Sequence, residues 1–171
     1  ANNMYPKLVI DLKKVKNNLD KITEMVKGSG CSLMIVTKGY CADMEIYKLL
    51  EESGIDYLAD SRIQNLKKYK GSKKERVLLR LPMMSEAEEV VANADLSLNS
   101  EIETIRKLNE AAINQNKKHK ILLMIDLGDL REGIFFKDED EIYHAVEEIL
   151  KLSNIELYGL GVNLTCYGAV I

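Results

Sequence analysis

Apolar residues recur along the chain in two alternating rhythms. Short runs of strand length, "LVIDL" (8–12), "SLMIVT" (32–37), "DYLAD" (56–60), "RVLLRL" (76–81), "ADLSLN" (94–99), "KILLMIDLG" (120–128) and "IELYGLGVNL" (155–164), read as seven strands. Six longer stretches between them carry apolar residues at helical spacing. Val15, Leu19, Ile22 and Val26 fall on one face of the first, and Ile102, Ile105 and Leu108 on one face of another. Ser61, Ser85 and Ser100 stand where N-caps belong, and Gly28, Gly54 and Gly71 follow helix ends. Strict alternation of strand and helix with short connections predicts parallel strands joined by right-handed crossovers. No linker or low-complexity segment interrupts it, so residues 1–171 read as one α/β domain.

An open doubly wound sheet and a (β/α) barrel both fit this alternation. A nucleotide-binding sheet calls for a glycine-rich turn after the first strand, but Leu12 is followed by Lys13 and Lys14. Both architectures place ligands at the carboxyl ends of the strands. The residues to inspect are therefore Lys38, Asp60-Ser61-Arg62, Arg80, Asn99-Ser100, Asp126 through Arg131, and Asn163. Lys38 follows a run of four apolar residues and Thr37. By itself it reads as the first solvated residue after a buried strand, its stem packed and its charge in water. Arg80, Asp60 and Arg62 read as rim ion pairs.

Charge and composition narrow the partners. The formal net charge is -3, and the lysines of 67–74 are balanced by acidic helices, which leaves no basic face for nucleic acid. No apolar run approaches the roughly 20 residues that span a bilayer, and "ANNMYPKLVI" lacks the basic-then-apolar order of a leader. Three cysteines without CxxC spacing point to a reducing compartment, and the cytoplasm is the expected location. His119 in a lysine-rich turn and His144 in an acidic helix have no second ligand at metal spacing, so no metal is expected. The "DEDE" run at 138–141 reads as the acidic first turn of a helix rather than a calcium site.

Several segments together resemble a known family. Lys38 in "VTK", "IDLGDLREGIF" (125–135) and "GLGVNL" (159–164) are similar in order and spacing to the amino-terminal part of the alanine racemase family of pyridoxal phosphate enzymes. "YPKLVIDLKKVKNNLDKI" (5–22), "LADSRIQNLKK" (58–68) and "LSLNSEIETI" (96–105) bring the resemblance nearest to the alanine/ornithine racemase branch. The resemblance implies a parallel (β/α) barrel of TIM type, incomplete, with about six of eight barrel strands and "LVIDL" lying outside the barrel. It further implies that the last barrel strands and a C-terminal β domain are absent. The chain is then expected to be an inactive fragment of a homodimeric racemase, with unpaired strand edges at 32–38 and 155–164.

The resemblance also assigns roles. Lys38 matches the lysine that holds pyridoxal phosphate as a Schiff base and moves the α-proton of an amino-acid substrate. Arg131 falls in a "DxGxxRxG" pattern, here Asp126, Gly128, Arg131 and Gly133, where an arginine grips the substrate carboxylate. Asn163 stands where alanine racemases carry a histidine near the cofactor ring, so that histidine's role does not transfer. Tyr40 follows the lysine by two residues rather than by the four of the family's phosphate-binding tyrosine, and is left as a pocket wall. Of a different class is a pyridoxal phosphate homeostasis protein sharing barrel and lysine without racemase activity. "DLGDLREG" favours the racemase.

Overall fold

Burial alternates along the strands and follows helical spacing between them, and the outcome is one parallel sheet with helices packed on one of its faces. The computed structural model describes residues 13, 16–17, 20, 34–36, 44–126, 133–135 and 137–162. In chain order the elements are β1 (Met34–Val36), α1 (Met44–Glu51), β2 (Tyr57–Asp60), α2 (Ile63–Lys68), β3 (Glu75–Leu78), a 3₁₀ turn (Met84–Glu86), α3 (Ala87–Asn93), β4 (Leu96–Asn99), α4 (Ile102–Asn114), β5 (His119–Asp126), β6 (Ile134–Phe135), α5 (Glu139–Leu150) and β7 (Ile155–Val162). Every pairing is parallel, with neighbours β1-β2-β3-β4-β5 and β7 beside β5. Six of the seven strands read from the sequence are present; "LVIDL" lies outside the described residues.

The short β6 was not legible in the apolar pattern. Ile125 pairs with both Ile134 and Val162, so β6 and β7 lie on opposite edges of β5, and β6 prolongs the β4 edge beyond Asn99. Ile134 accordingly shares a cleft of about 340 Å³ with Ser100, Glu101 and Ile102.

The sheet is curled. From β2 to β7 there are four strand steps, which in a flat sheet would separate them by roughly 19 Å. Two tyrosine side chains from these strands nevertheless meet, Tyr57 Oη to Tyr158 Oη at 2.8 Å. That contact requires the strands to bend round as staves do, which is a barrel's curvature.

The two faces are chemically distinct. One carries Leu58, Leu78, Ile121, Leu123 and Ile125 against Leu66, Val90, Ile105, Leu108 and Ile149 of the helices. The other, inside the curl, joins Ala59, Val77 and Leu96 with Tyr57, Leu79 and Leu122. Helix α4 buries Ile105 and Leu108 completely, as its spacing predicts, and Ile102 packs beside them. Each such side chain contributes about 1.5–3 kcal/mol by leaving water.

The serines do not cap as expected. The N-cap positions are Arg62, Glu86 and Glu101, and none of these makes a side-chain cap bond. At α2 the carboxylate of Asp60 supersedes Ser61, because Asp60 Oδ1 accepts the Arg62 N–H at 2.8 Å and Oδ2 accepts from Asn65 Nδ2 at 2.9 Å. The acidic first turn of α5, Glu139 to Glu141, forms as read.

Candidate active site

Parallel pairing brings all carboxyl ends of the strands to one edge of the curl. Val36 ends β1 in register with Ala59, and Lys38 follows it by two residues along the chain. Asp126 ends β5, and Gly133 brings the chain back to it around the stretch that contains Arg131. Val162 ends the described part of β7, opposite Ile125 and directly before Asn163. Lys38, Tyr40, Arg131 and Asn163 themselves lie outside the described residues. What is described is the converging set of strand ends from which each departs.

Local bonds organise this rim. Arg80 is clamped, its Nη1 and Nη2 each 2.8 Å from a carboxylate oxygen of Glu86 and its Nε donating to the Ser61 carbonyl at 2.8 Å. The guanidinium holds the Glu86 carboxyl below the usual carboxylate range, with burial opposing it. Arg80 is thus the ion pair read from the sequence, with a partner that the sequence did not identify. Asp60 is buried and spans the start of α2 through Arg62 N–H and Asn65.

Behind β4 runs a buried polar file. His119, the first residue of β5, is 1 % exposed rather than in a surface turn. Burial pushes its imidazole down to about 4, so the ring is neutral at pH 7. The charge of Asp95 and, less, the Ala94 backbone work against that shift. Ser97 Oγ and His119 Nε2 share a hydrogen bond of 2.8 Å, and Ser97 Oγ accepts from Asn99 Nδ2 at 2.9 Å. Asn99 Oδ1 is buried and without a hydrogen-bond partner among the described residues. Asn99 borders a cleft of about 610 Å³ with Ser100, Glu101, Thr104, Met83 and Met84. Ser97 escaped the sequence reading, and His119 was read there as part of a lysine-rich turn rather than as the buried first residue of a strand. Their signal was the alternation that puts Ser97 on the same face as Leu78 and Ile121, its register partners.

The loop after β5 returns under a steric constraint. Gly133 has φ +134°, and a Cβ there would stand 2.8 Å from three backbone atoms of β5. Only glycine fits so close an approach.

Comparison with known proteins agrees with this architecture. The family model "Alanine racemase, N-terminal domain" matches residues 10–169. Ornithine racemase of Acetoanaerobium sticklandii is 50% identical over 168 residues, covering 98% of this chain and 47% of that protein. Lysine racemase of Thermotoga maritima is 38% identical over 170 residues, covering 98% of this chain and 46% of that protein. The chain spans about half the length of the curated relatives it matches. Among solved structures, alanine racemase of Clostridium difficile 630 in complex with cycloserine superposes with a TM-score of 0.73 at 24% identity, covering 91% of this chain and 43% of the other. The fold is therefore the TIM-type barrel of those enzymes, present here in part, and the chain belongs to the alanine racemase N-terminal domain family.

Proposed function

We propose that the protein is a pyridoxal phosphate-dependent racemase of a basic amino acid, ornithine or one close to it. The observation that carries this reading is the 50% identity to an ornithine racemase over 98% of the chain, seconded by the lysine racemase. These relatives favour the racemase over a homeostasis protein.

Inside the curl the sheet carries a buried apolar layer of Ala59, Val77 and Leu96 with Leu79 and Leu122 packed against it, below the strand ends after which Lys38 and Asn163 follow in the chain. Lys38 would hold pyridoxal phosphate, with Tyr40 and Asn163 beside it. When bound, the cofactor supplies an electron sink that acidifies the α-carbon of an amino acid. The lysine amine would take or return the α-proton. The Arg131 guanidinium would grip the substrate carboxylate with two parallel N–H bonds and orient the α-hydrogen toward the lysine. In keeping with the family, the protein would act as a homodimer in the cytoplasm.

The test is chiral analysis of ornithine, lysine and alanine incubated with the full-length protein and pyridoxal phosphate, alongside borohydride reduction and peptide mapping. Racemisation of a basic amino acid with the label on Lys38 is the expected result. Cofactor binding without racemisation of any of the three would leave the homeostasis reading in its place.

A further inference from the structure

Asn99 is the last residue of β4, and the cleft it borders opens where that strand gives way to α4. Its register partner on β5 is Leu123, which belongs to the helix-side core. Partners in register point to the same face, so Asn99 lies outside the curl, apart from the inner layer of Ala59, Val77 and Leu96. Two bonds fix the orientation of its amide. Nδ2 lies 2.9 Å from Ser97 Oγ and 3.3 Å from the Ser97 carbonyl, and a carbonyl can only accept, so the NH2 group faces back along the strand. Oδ1 therefore faces the carboxyl end, where the cleft lies. Asn99 is 1 % exposed, and Oδ1 has no hydrogen-bond partner among the described residues. A buried acceptor left in this state costs about 1–3 kcal/mol, which an N–H or O–H donor entering the cleft recovers.

The rest of the lining selects the donor. Leu81, Pro82, Met83 and Met84 supply an apolar wall, and Met83 and Met84 are 61 % and 49 % exposed. Glu101 is the one charged side chain among the described residues of the lining. The positive end of α4 stands at the same point, but it amounts to about half a charge against the full negative charge of Glu101. A lone water molecule would satisfy Oδ1 and leave both the wall and the carboxylate unanswered.

We propose that this cleft is a ligand site for an aliphatic primary amine in its ammonium form. The ammonium donates to Asn99 Oδ1 and faces the Glu101 carboxylate, and its methylenes lie on Met83 and Met84. The volume of about 610 Å³ falls within the roughly 300–1,000 Å³ of small-molecule sites. This site goes beyond the racemase reading and does not depend on it.

The experiment titrates the full-length protein, its methionine methyl groups enriched in carbon-13, with butan-1-amine, butan-1-ol and butanoate. Binding is read from the Met83 and Met84 methyl resonances, assigned by Met83→Leu and Met84→Leu. The amine is expected to shift both signals and to bind about tenfold more tightly than the alcohol, and butanoate to shift neither. Asn99→Leu removes the acceptor at similar size and should weaken the amine about tenfold. Glu101→Gln should weaken the amine about threefold and leave the alcohol unchanged. Glu101 is exposed, so that variant keeps the test alive should Asn99→Leu fail to fold. Methyl signals that the amine does not move, equal affinity for amine and alcohol, or amine binding that Glu101→Gln leaves unchanged would each overturn the proposal.

Discussion

The two ends of the sheet are held by different kinds of bond. At the amino ends, bonds join strands remote in sequence: Tyr57 to Tyr158, 101 residues apart, and Lys120 Nζ to Glu75 Oε1 at 2.5 Å, 45 residues apart. Lys120 also lies 5.3 Å from the Tyr158 ring centroid. At the carboxyl ends the bonds are local, with Asp60 reaching Arg62 and Asn65, and Arg80 reaching Glu86 and Ser61. Bonds between distant strands act as a hoop that fixes curvature. Local bonds stiffen each strand end separately and leave it to carry its own loop. The division matches the barrel rule that one end serves stability and the other chemistry.

The sharpest way to break the comparison is at the carboxyl end. Lys38→Ala should reduce racemisation by a factor of about 10³ or more and remove the borohydride-stable label, with thermal stability nearly unchanged. A label persisting on another lysine would refute the assignment.

The His119 file links the two ends and should show in pH dependence. A histidine with its folded value lowered from 6.5 to about 4 binds fewer protons folded than unfolded between those limits. Stability must then be full above pH 6.5 and fall as pH drops toward 4, by up to roughly 3 kcal/mol for this group. Chemical denaturation across that range should show a steeper loss for wild type than for His119→Asn, and equal slopes would contradict the buried neutral ring.

Smaller effects sharpen the contrast between local and distant bonds. Arg80→Ala removes a two-pronged, partly buried pair and should cost about 1–2 kcal/mol. Glu86 is held below the usual carboxylate range, so the stability of this pair is present above the ordinary glutamate value near 4.5 and is lost as pH falls below it. Arg80→Ala should therefore flatten the acid limb of the stability curve. Tyr57→Phe cuts the exposed hydroxyl pair of the hoop and should cost about 0.5–1 kcal/mol. A cost above that for Arg80→Ala would show that the hoop, not the local clamps, dominates.

Much of the fold was legible because strand and helix rhythms are local. The runs at 56–60, 94–99 and 120–128 became β2, β4 and β5, with bounds shifted by one or two residues. The N-caps were misread because serine competes with its neighbours, and at α2 a buried aspartate one residue earlier captured the free N–H. His119 was misread because its lysine neighbours signal a surface, while its own side chain follows the alternation of a strand that begins there.

By itself the sequence determined the alternation, the parallel sheet, the order of strand ends and, through resemblance, the family. Its local periods specify which residues share a face, since strand and helix geometry repeats every two and every 3.6 residues. Tertiary structure decided how far the sheet curls, that Tyr57 meets Tyr158, that His119 is sealed behind Ser97, and that Gly133 is pressed against β5. Each of these depends on where two segments meet in space, and the distance between segments is set by the packing of the whole sheet, which leaves no periodic mark on either one.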